Sequence, residues 1–182
     1  MQPTFVTEKL TLRPLQLADA PSIQQLAGDK DVASTTLSIP YPYPDGAAES
    51  FIMANHERYN KGFGSTFALI SNETNELVGC IGMHIVSDYH RAELAYWIGK
   101  PYWGQGYATE AARQMLEYGF KELKLNRIWA AAMARNSASS MVMQKIGMRY
   151  EGKLIQHIRK WEEYEDLVYY GTTKTEYETA IR

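Results

Sequence analysis

A single cysteine, Cys80, stands in a chain of 182 residues, which excludes an internal disulfide framework and any cysteine-clustered metal site. Its setting in the apolar run Leu77–Met83 is that of a small buried thiol. The four histidines, His56, His84, His90 and His157, show neither HExxH nor any other ligand spacing, so no metal is expected. Neither sign of charge is in excess: 19 basic and 21 acidic residues leave a net charge of −2, and no direct nucleic-acid partner is expected. No apolar run approaches the roughly 18 residues that cross a bilayer, and no basic segment with an apolar core opens the chain. A cytoplasmic protein without a membrane partner, monomer or homodimer, is the expectation. Linkers, repeats and low-complexity stretches are also absent. One domain spanning 1–182, with its core in 10–172, is long enough to bury a full hydrophobic interior.

What is present is a clear succession of periodic segments. Leu10–Leu15 alternates apolar and polar residues as a half-buried strand does, and Pro14 marks an edge or an end. Asp19-Ala-Pro-Ser opens a helix to about Ala27 with Asp19 as N-cap. Pro40-Tyr-Pro-Tyr-Pro44 is stiff and extended, and a second helix covers Ala47–Asn60. Strands follow at Thr66–Ile70, Leu77–Ile85 and Arg91–Ile98. In the last, Leu94, Tyr96 and Ile98 face one way and Glu93, Ala95 and Trp97 the other. Gln105–Leu123 places Ala108, Ala111, Ala112, Met115, Leu116 and Phe120 at helical spacing. A strand at Arg127–Met133, a helix at Ser137–Ile146 stopped by Gly147, and a hairpin of Tyr150–Ile158 and Asp166–Thr172 complete the chain. Hairpin strands followed by β-α-β-α predict an α/β (α+β) fold: a mixed central sheet of about seven strands with helices on both faces.

The most pointed segment is Trp103-Gly104-Gln105-Gly106-Tyr107-Ala108-Thr109, between a strand and a helix. Helix starts expose amides without partners at the positive end of the macrodipole, and Asp, Ser or Thr usually caps them. No such residue precedes this helix. Two glycines let the backbone approach a ligand closely, and an anion, above all a diphosphate, suits the arrangement. A plain glycine turn from strand to helix remains the alternative. The string GxxxxGK[ST] is absent, and Thr109 stands where a dinucleotide fingerprint needs its third glycine.

Trp103-Gly-Gln-Gly-Tyr-Ala resembles the [QR]xxGx[GA] signature of the GNAT acetyltransferase superfamily. Ala92-Glu-Leu-Ala-Tyr-Trp-Ile-Gly looks like the strand that precedes it. Asn136-Ser-Ala-Ser139-Ser-Met-Val142-Met-Gln-Lys145-Ile-Gly147-Met is similar to the pattern NxxSxxVxxKxGF. With Leu10-Thr-Leu-Arg-Pro-Leu and Asp166-Leu-Val-Tyr-Tyr, the chain resembles the RimJ/RimL branch over about Leu10 to Tyr170.

The resemblance implies acetyl-coenzyme A as co-substrate and a primary amine as acceptor, most aptly the N-terminus of a ribosomal or other protein. A small amine or antibiotic-like acceptor is the alternative, as is a coenzyme A-binding module without turnover. It implies that Gly104, Gln105, Gly106, Tyr107, Ala108 and Thr109 cradle the diphosphate. It implies a sheet splayed at its middle, where Trp97 and Ile98 offer backbone bonds to the pantetheine arm. Asn136 reads equally as a helix N-cap and as a contact to that arm. Two departures stand out: Trp103 replaces an Arg or Gln, and Met143 occupies the usual place of a general-acid tyrosine. Met143 has no proton to donate, which leaves Ser139 as the nearest candidate acid. Glu93 is the candidate base, with a structural carboxylate as the competing reading. Tyr41, Tyr43 and His84 are candidate acceptor-lining residues, and Glu162, Glu163, Glu165 and Asp166 form an acidic cluster that either attracts a cation or is merely solvated.

Overall fold

Alternation at Leu10–Pro14 (β2) buries Leu10 and Leu12 completely, whereas Gly64–Ser71 (β3) and Leu77–Val86 (β4) are buried on both faces over most of their length and Arg91–Ile98 (β5) alternates in its first half. The fold was obtained as a computed structural model that describes residues 1–180. Phe5–Val6 (β1), Arg127–Met133 (β6), Arg149–Lys160 (β7) and Glu163–Thr173 (β8) complete one eight-stranded sheet in the order β1-β2-β3-β4-β5-β6-β8-β7. All neighbours are antiparallel except β5 and β6. That parallel pair requires a crossover, which Tyr107–Glu117 (α4) supplies.

Two apolar clusters sit on opposite faces. On one, Ala111, Ala112, Met115 and Leu116 of α4 and Met143 of Ser137–Lys145 (α5) pack on Leu12, Phe67, Ile81, Leu94, Ile128 and Val168. On the other, Ala20–Ala27 (α1) and Ala47–Asn60 (α3) lay Ile23, Ala27, Ala48 and Ile52 over Ala68, Ile70 and Cys80. These helices cover β3 and β4, while the same face of β6 and β8 presents Trp129 and Tyr169, both only partly buried. No described helix is long and apolar enough to cross a membrane.

The expected mixed sheet with helices on both faces is present, with an eighth strand, β1, too short to show a period. Lys30–Thr35 (α2) was not expected; Asp29 caps it, accepting from the amides of Asp31 at 2.7 Å and Val32 at 3.4 Å. Nor was Lys174–Ala180 (α6), which begins in a capping box: Thr173 N–H donates to Glu176 at 2.9 Å, and Glu176 N–H to the Thr173 hydroxyl at 3.3 Å. Asp19 holds the N-cap position of α1, but its buried carboxylate accepts two bonds from Arg13, at 2.6 and 2.8 Å, and one from Gln16 N–H. An arginine able to grip both oxygens outcompetes the helix amides. The closing hairpin is longer than expected, and most of its charged tip belongs to the strands.

Candidate active site

The β5–β6 ladder covers only Arg91–Glu93 against Arg127–Trp129, and the rest of β5 leaves β6. Gly99 N–H donates to Val78 O at 2.8 Å, which fixes the sides to which the β5 backbone points. Amide and carbonyl directions alternate along a strand, so Trp97 gives its polar atoms to β4, opposite Cys80. Tyr96 and Ile98 turn theirs to the open side. The Trp97 backbone, expected on the open side, therefore faces β4, and the open side carries the backbone polar atoms of Tyr96 and Ile98; the Trp97 ring packs on the α1–α3 cluster.

At the head of this opening the chain turns through Gly104 (φ 76°) and Gly106 (φ 86°) into α4. These left-handed angles favour glycine. Gly106 is the N-cap without a side-chain bond, and no atom lies within 4 Å of a Cβ placed at Gly104. The cradle is open and its amides are free of a capping carboxylate. Gln105 reaches Pro101 O, Tyr107 is buried in the core, and Ala108 and Thr109 are half-buried in the first turn. Sequence reading missed Lys9. Glu110 of α4 accepts from Lys9 N–H at 2.7 Å and from the Thr7 hydroxyl at 2.6 Å, pinning the β1–β2 turn to the helix start. Lys9 Nζ then donates to Gln105 O at 3.2 Å and stands 4.0 Å from the Gly106 Cβ position. A cation thus sits where Trp103 provides none. Trp103 instead donates its indole N–H to Ile98 O at 2.7 Å.

Asn136 does cap α5, accepting from Ser139 N–H at 3.1 Å, while its amide donates to Thr35 O at 3.1 Å. The Ser139 hydroxyl lies 2.8 Å from that of Tyr96, across the mouth of the opening. Burial pushes the Tyr96 phenol up to about 12, so it stays protonated at any working pH. Tyr96 is a second residue absent from the sequence-based set of candidates; a tyrosine on the strand stands beside Ser139 where Met143, fully buried, offers only a thioether.

Glu93 faces the other side of the sheet, half-buried. Desolvation raises its pKa above the usual carboxylate value, and no basic side chain pairs with it among the described residues. His84 is its register partner on β4 and is exposed; Trp129 is its partner on β6. Trp129 stacks on Tyr169, 5.5 Å between ring centroids and 24° between planes, and His157 meets Tyr169 edge-on at 6.4 Å. The negative charge of Glu93 also raises the Tyr169 pKa, behind burial as the larger cause. Tyr41 packs at a tilt of 54° against Trp161, 6.1 Å between centroids and beneath Lys30, fastening the proline-rich segment to the hairpin tip. Tyr43 packs among α1 and α3 and is not brought to Glu93. Of the hairpin acids, Glu162, Glu165 and Asp166 pair with Arg159, Arg135 and Lys153, leaving Glu163 exposed.

This geometry agrees with relatives. Residues 9–149 match the model of the acetyltransferase (GNAT) domain, and the chain belongs to that family. It is an acetyl-CoA-dependent N-acetyltransferase. It is 31% identical to the uncharacterized N-acetyltransferase p20 of Bacillus licheniformis over 96% of this chain and 98% of that one. It is 23% identical to the spermidine N(1)-acetyltransferase of Vibrio cholerae over 89% and 91%. The fold of RimL, a ribosomal L7/L12 alpha-N-protein acetyltransferase solved with coenzyme A, superposes with a TM-score of 0.86 at 18% identity, covering 94% and 98%.

Proposed function

We propose that the chain acetylates a protein N-terminal α-amine, of the ribosomal-protein type, by direct transfer without an acyl-enzyme. The observation that carries the transfer chemistry is the break in the β5–β6 ladder, which opens between a free helix start and an unpaired carboxylate. The α4 amides and Lys9 hold the diphosphate, and the polar atoms of Tyr96 and the N–H of Ile98, whose carbonyl is taken by Trp103, pair with the pantetheine arm. Such an arm is held as an added strand would be.

The acceptor arrives protonated, since α-amines titrate near 8, and Glu93 accepts its first proton, directly or through water. The neutral nitrogen attacks the acetyl carbonyl, and a backbone amide on the open side receives the oxyanion. When the C–S bond breaks, the second amine proton passes by way of the Ser139 hydroxyl, oriented by Tyr96, to the departing sulfur. Cys80 takes no part: it is buried, and burial holds its thiol far above the usual value.

A small polyamine-type acceptor is the second reading. It is favoured by the aromatic pair beside Glu93 and by the similarity to a spermidine acetyltransferase. Thiol release from acetyl-CoA with ribosomal-protein N-terminal peptides, polyamines and aminoglycosides decides between them. Turnover confined to polyamines would overturn the peptide reading, and none with any amine would overturn transfer altogether.

A further inference from the structure

The face that bears Glu93 holds a constellation the transfer chemistry does not itself require. Going across the sheet from β4, the row reads His84, Glu93, Trp129, with Tyr169 one step along β8. In a parallel pair in register, Glu93 and Trp129 project from the same side, and Tyr169 lies diagonal to Trp129, within reach of an aromatic ring. The two rings stack nearly parallel at 5.5 Å, and both residues are only partly buried. Neither is covered by α1 or α3, which end over β4. Aromatic rings on an open sheet face ordinarily invite an apolar cover, but here the border of the patch is an unpaired carboxylate.

We propose that Trp129, Tyr169 and Glu93 form a recognition site for an alkylammonium group, so that the acceptor is selected in its charged state before Glu93 removes its proton. The negative faces of the two rings attract a cation, and the carboxylate, with no basic partner among the described residues, supplies the formal countercharge. A neutral molecule of the same shape gains the apolar contact alone. An anion is repelled. The site rests on the acetyl-transfer reading for its purpose and on the geometry alone for its existence.

The test separates these. Binding of n-hexylammonium and of its neutral counterpart 1-hexanol is measured calorimetrically at pH 7 on the full chain without coenzyme. The ammonium is expected to bind at least about fivefold more tightly, the range that a cation over an aromatic face provides. Trp129→Leu and Tyr169→Leu, which keep apolar bulk and lose the π face, should each reduce that ratio. Trp129→Phe should keep most of it, and Tyr169→Phe should leave it unchanged, because the ring and not the hydroxyl carries the attraction. Folding of each variant is checked by its coenzyme A affinity, which should not move. Equal binding of the two probes, or a ratio indifferent to Trp129→Leu, overturns the site. If the ratio behaves as expected but no amine is ever acetylated, the ammonium site stands and the transfer reading falls.

Discussion

Replacing Lys9 by methionine tests how this chain manages a coenzyme diphosphate with Trp103 in place of a basic residue. Nζ stands 4.0 Å from the Gly106 Cβ position, and Glu110 holds the backbone that carries it. A unit charge at that separation in a solvent-exposed setting is worth about 1 kcal/mol, or roughly a fivefold change in affinity. The diphosphate carries two charges, so Lys9→Met should weaken coenzyme A binding about five- to thirtyfold, with kcat at saturation nearly unchanged. Lys9→Arg should restore most of the loss. Titration calorimetry with coenzyme A, dephospho-coenzyme A and pantetheine makes the assignment specific. The loss should be equal for the first two, absent for the third, and smaller at about 0.5 M salt, where an exposed charge is screened. A loss seen with coenzyme A and absent with dephospho-coenzyme A would move Lys9 to the 3′-phosphate and refute the argument.

Gly106→Val forces a β-branched residue into φ 86° on the open cradle, and coenzyme affinity should fall below detection while far-UV circular dichroism persists; tight binding would remove the loop from the site. Glu93→Gln should flatten the acid limb of kcat/KM, which in the parent chain falls as pH drops through a value above the usual carboxylate pKa; His84, Arg91, Arg127 and Tyr169 flank Glu93 and are unaltered in the variant. The raised pKa means the folded state favours the protonated form, a contribution to stability present at low pH and lost as pH rises, so the same variant should not lower Tm at pH 7. Tyr96→Phe should reduce kcat about tenfold with KM for the coenzyme nearly unchanged, and Ser139→Ala should not add its full effect on top; additive losses in the double variant would show that the hydroxyls act apart. Cys80→Ala should retain full turnover at a cost of about 1 kcal/mol in stability, and a trapped acetyl-enzyme in the parent chain would contradict direct transfer.

The elements read most clearly from sequence are those whose signal is local. Alternation in Arg91–Ile98 and helical spacing in Tyr107–Glu117 are consequences of burying one side, and each needs no knowledge of its neighbours. β1 has too few residues for a period, and α6 is polar, its one local signal being the Thr173–Glu176 capping box, which the sequence reading passed over. The glycine turn into α4 was legible in the sequence, and the residues packed beside it were not. Lys9 lies 96 positions from Gln105, and which β5 amides face the opening depends on the register with β4. The acceptor side was less legible still, because Trp129 and Tyr169 meet only through the β6–β8 register, and each alone reads as an ordinary sheet aromatic. Tyr43, a lining candidate by resemblance alone, packs against the α1–α3 cluster, a contact that its proline-rich segment does not signal.

The break between β5 and β6 explains why the residues proposed for the donor and for the acceptor sit on opposite faces of one sheet. A parallel pair must be joined by a crossover, so α4 starts just beyond the end of β5, where its free amides overlook the gap. The gap begins after Glu93, the last residue of the shared ladder, and so the carboxylate stands at the foot of the opening. The next residues alternate: Tyr96 looks toward α5 and meets Ser139, while Glu93 looks away toward Trp129. On the proposed mechanism, a reaction in the gap draws its thiol-side hydroxyls from one face and its amine-side base from the other, and neither set must cross the other's packing. Substitutions at Lys9 or Gly106 should therefore alter the requirement for acetyl-CoA, and those at Trp129 or Tyr169 that for the amine. Only Glu93, Tyr96 and Ser139, which border the gap itself, should change kcat at saturation with both.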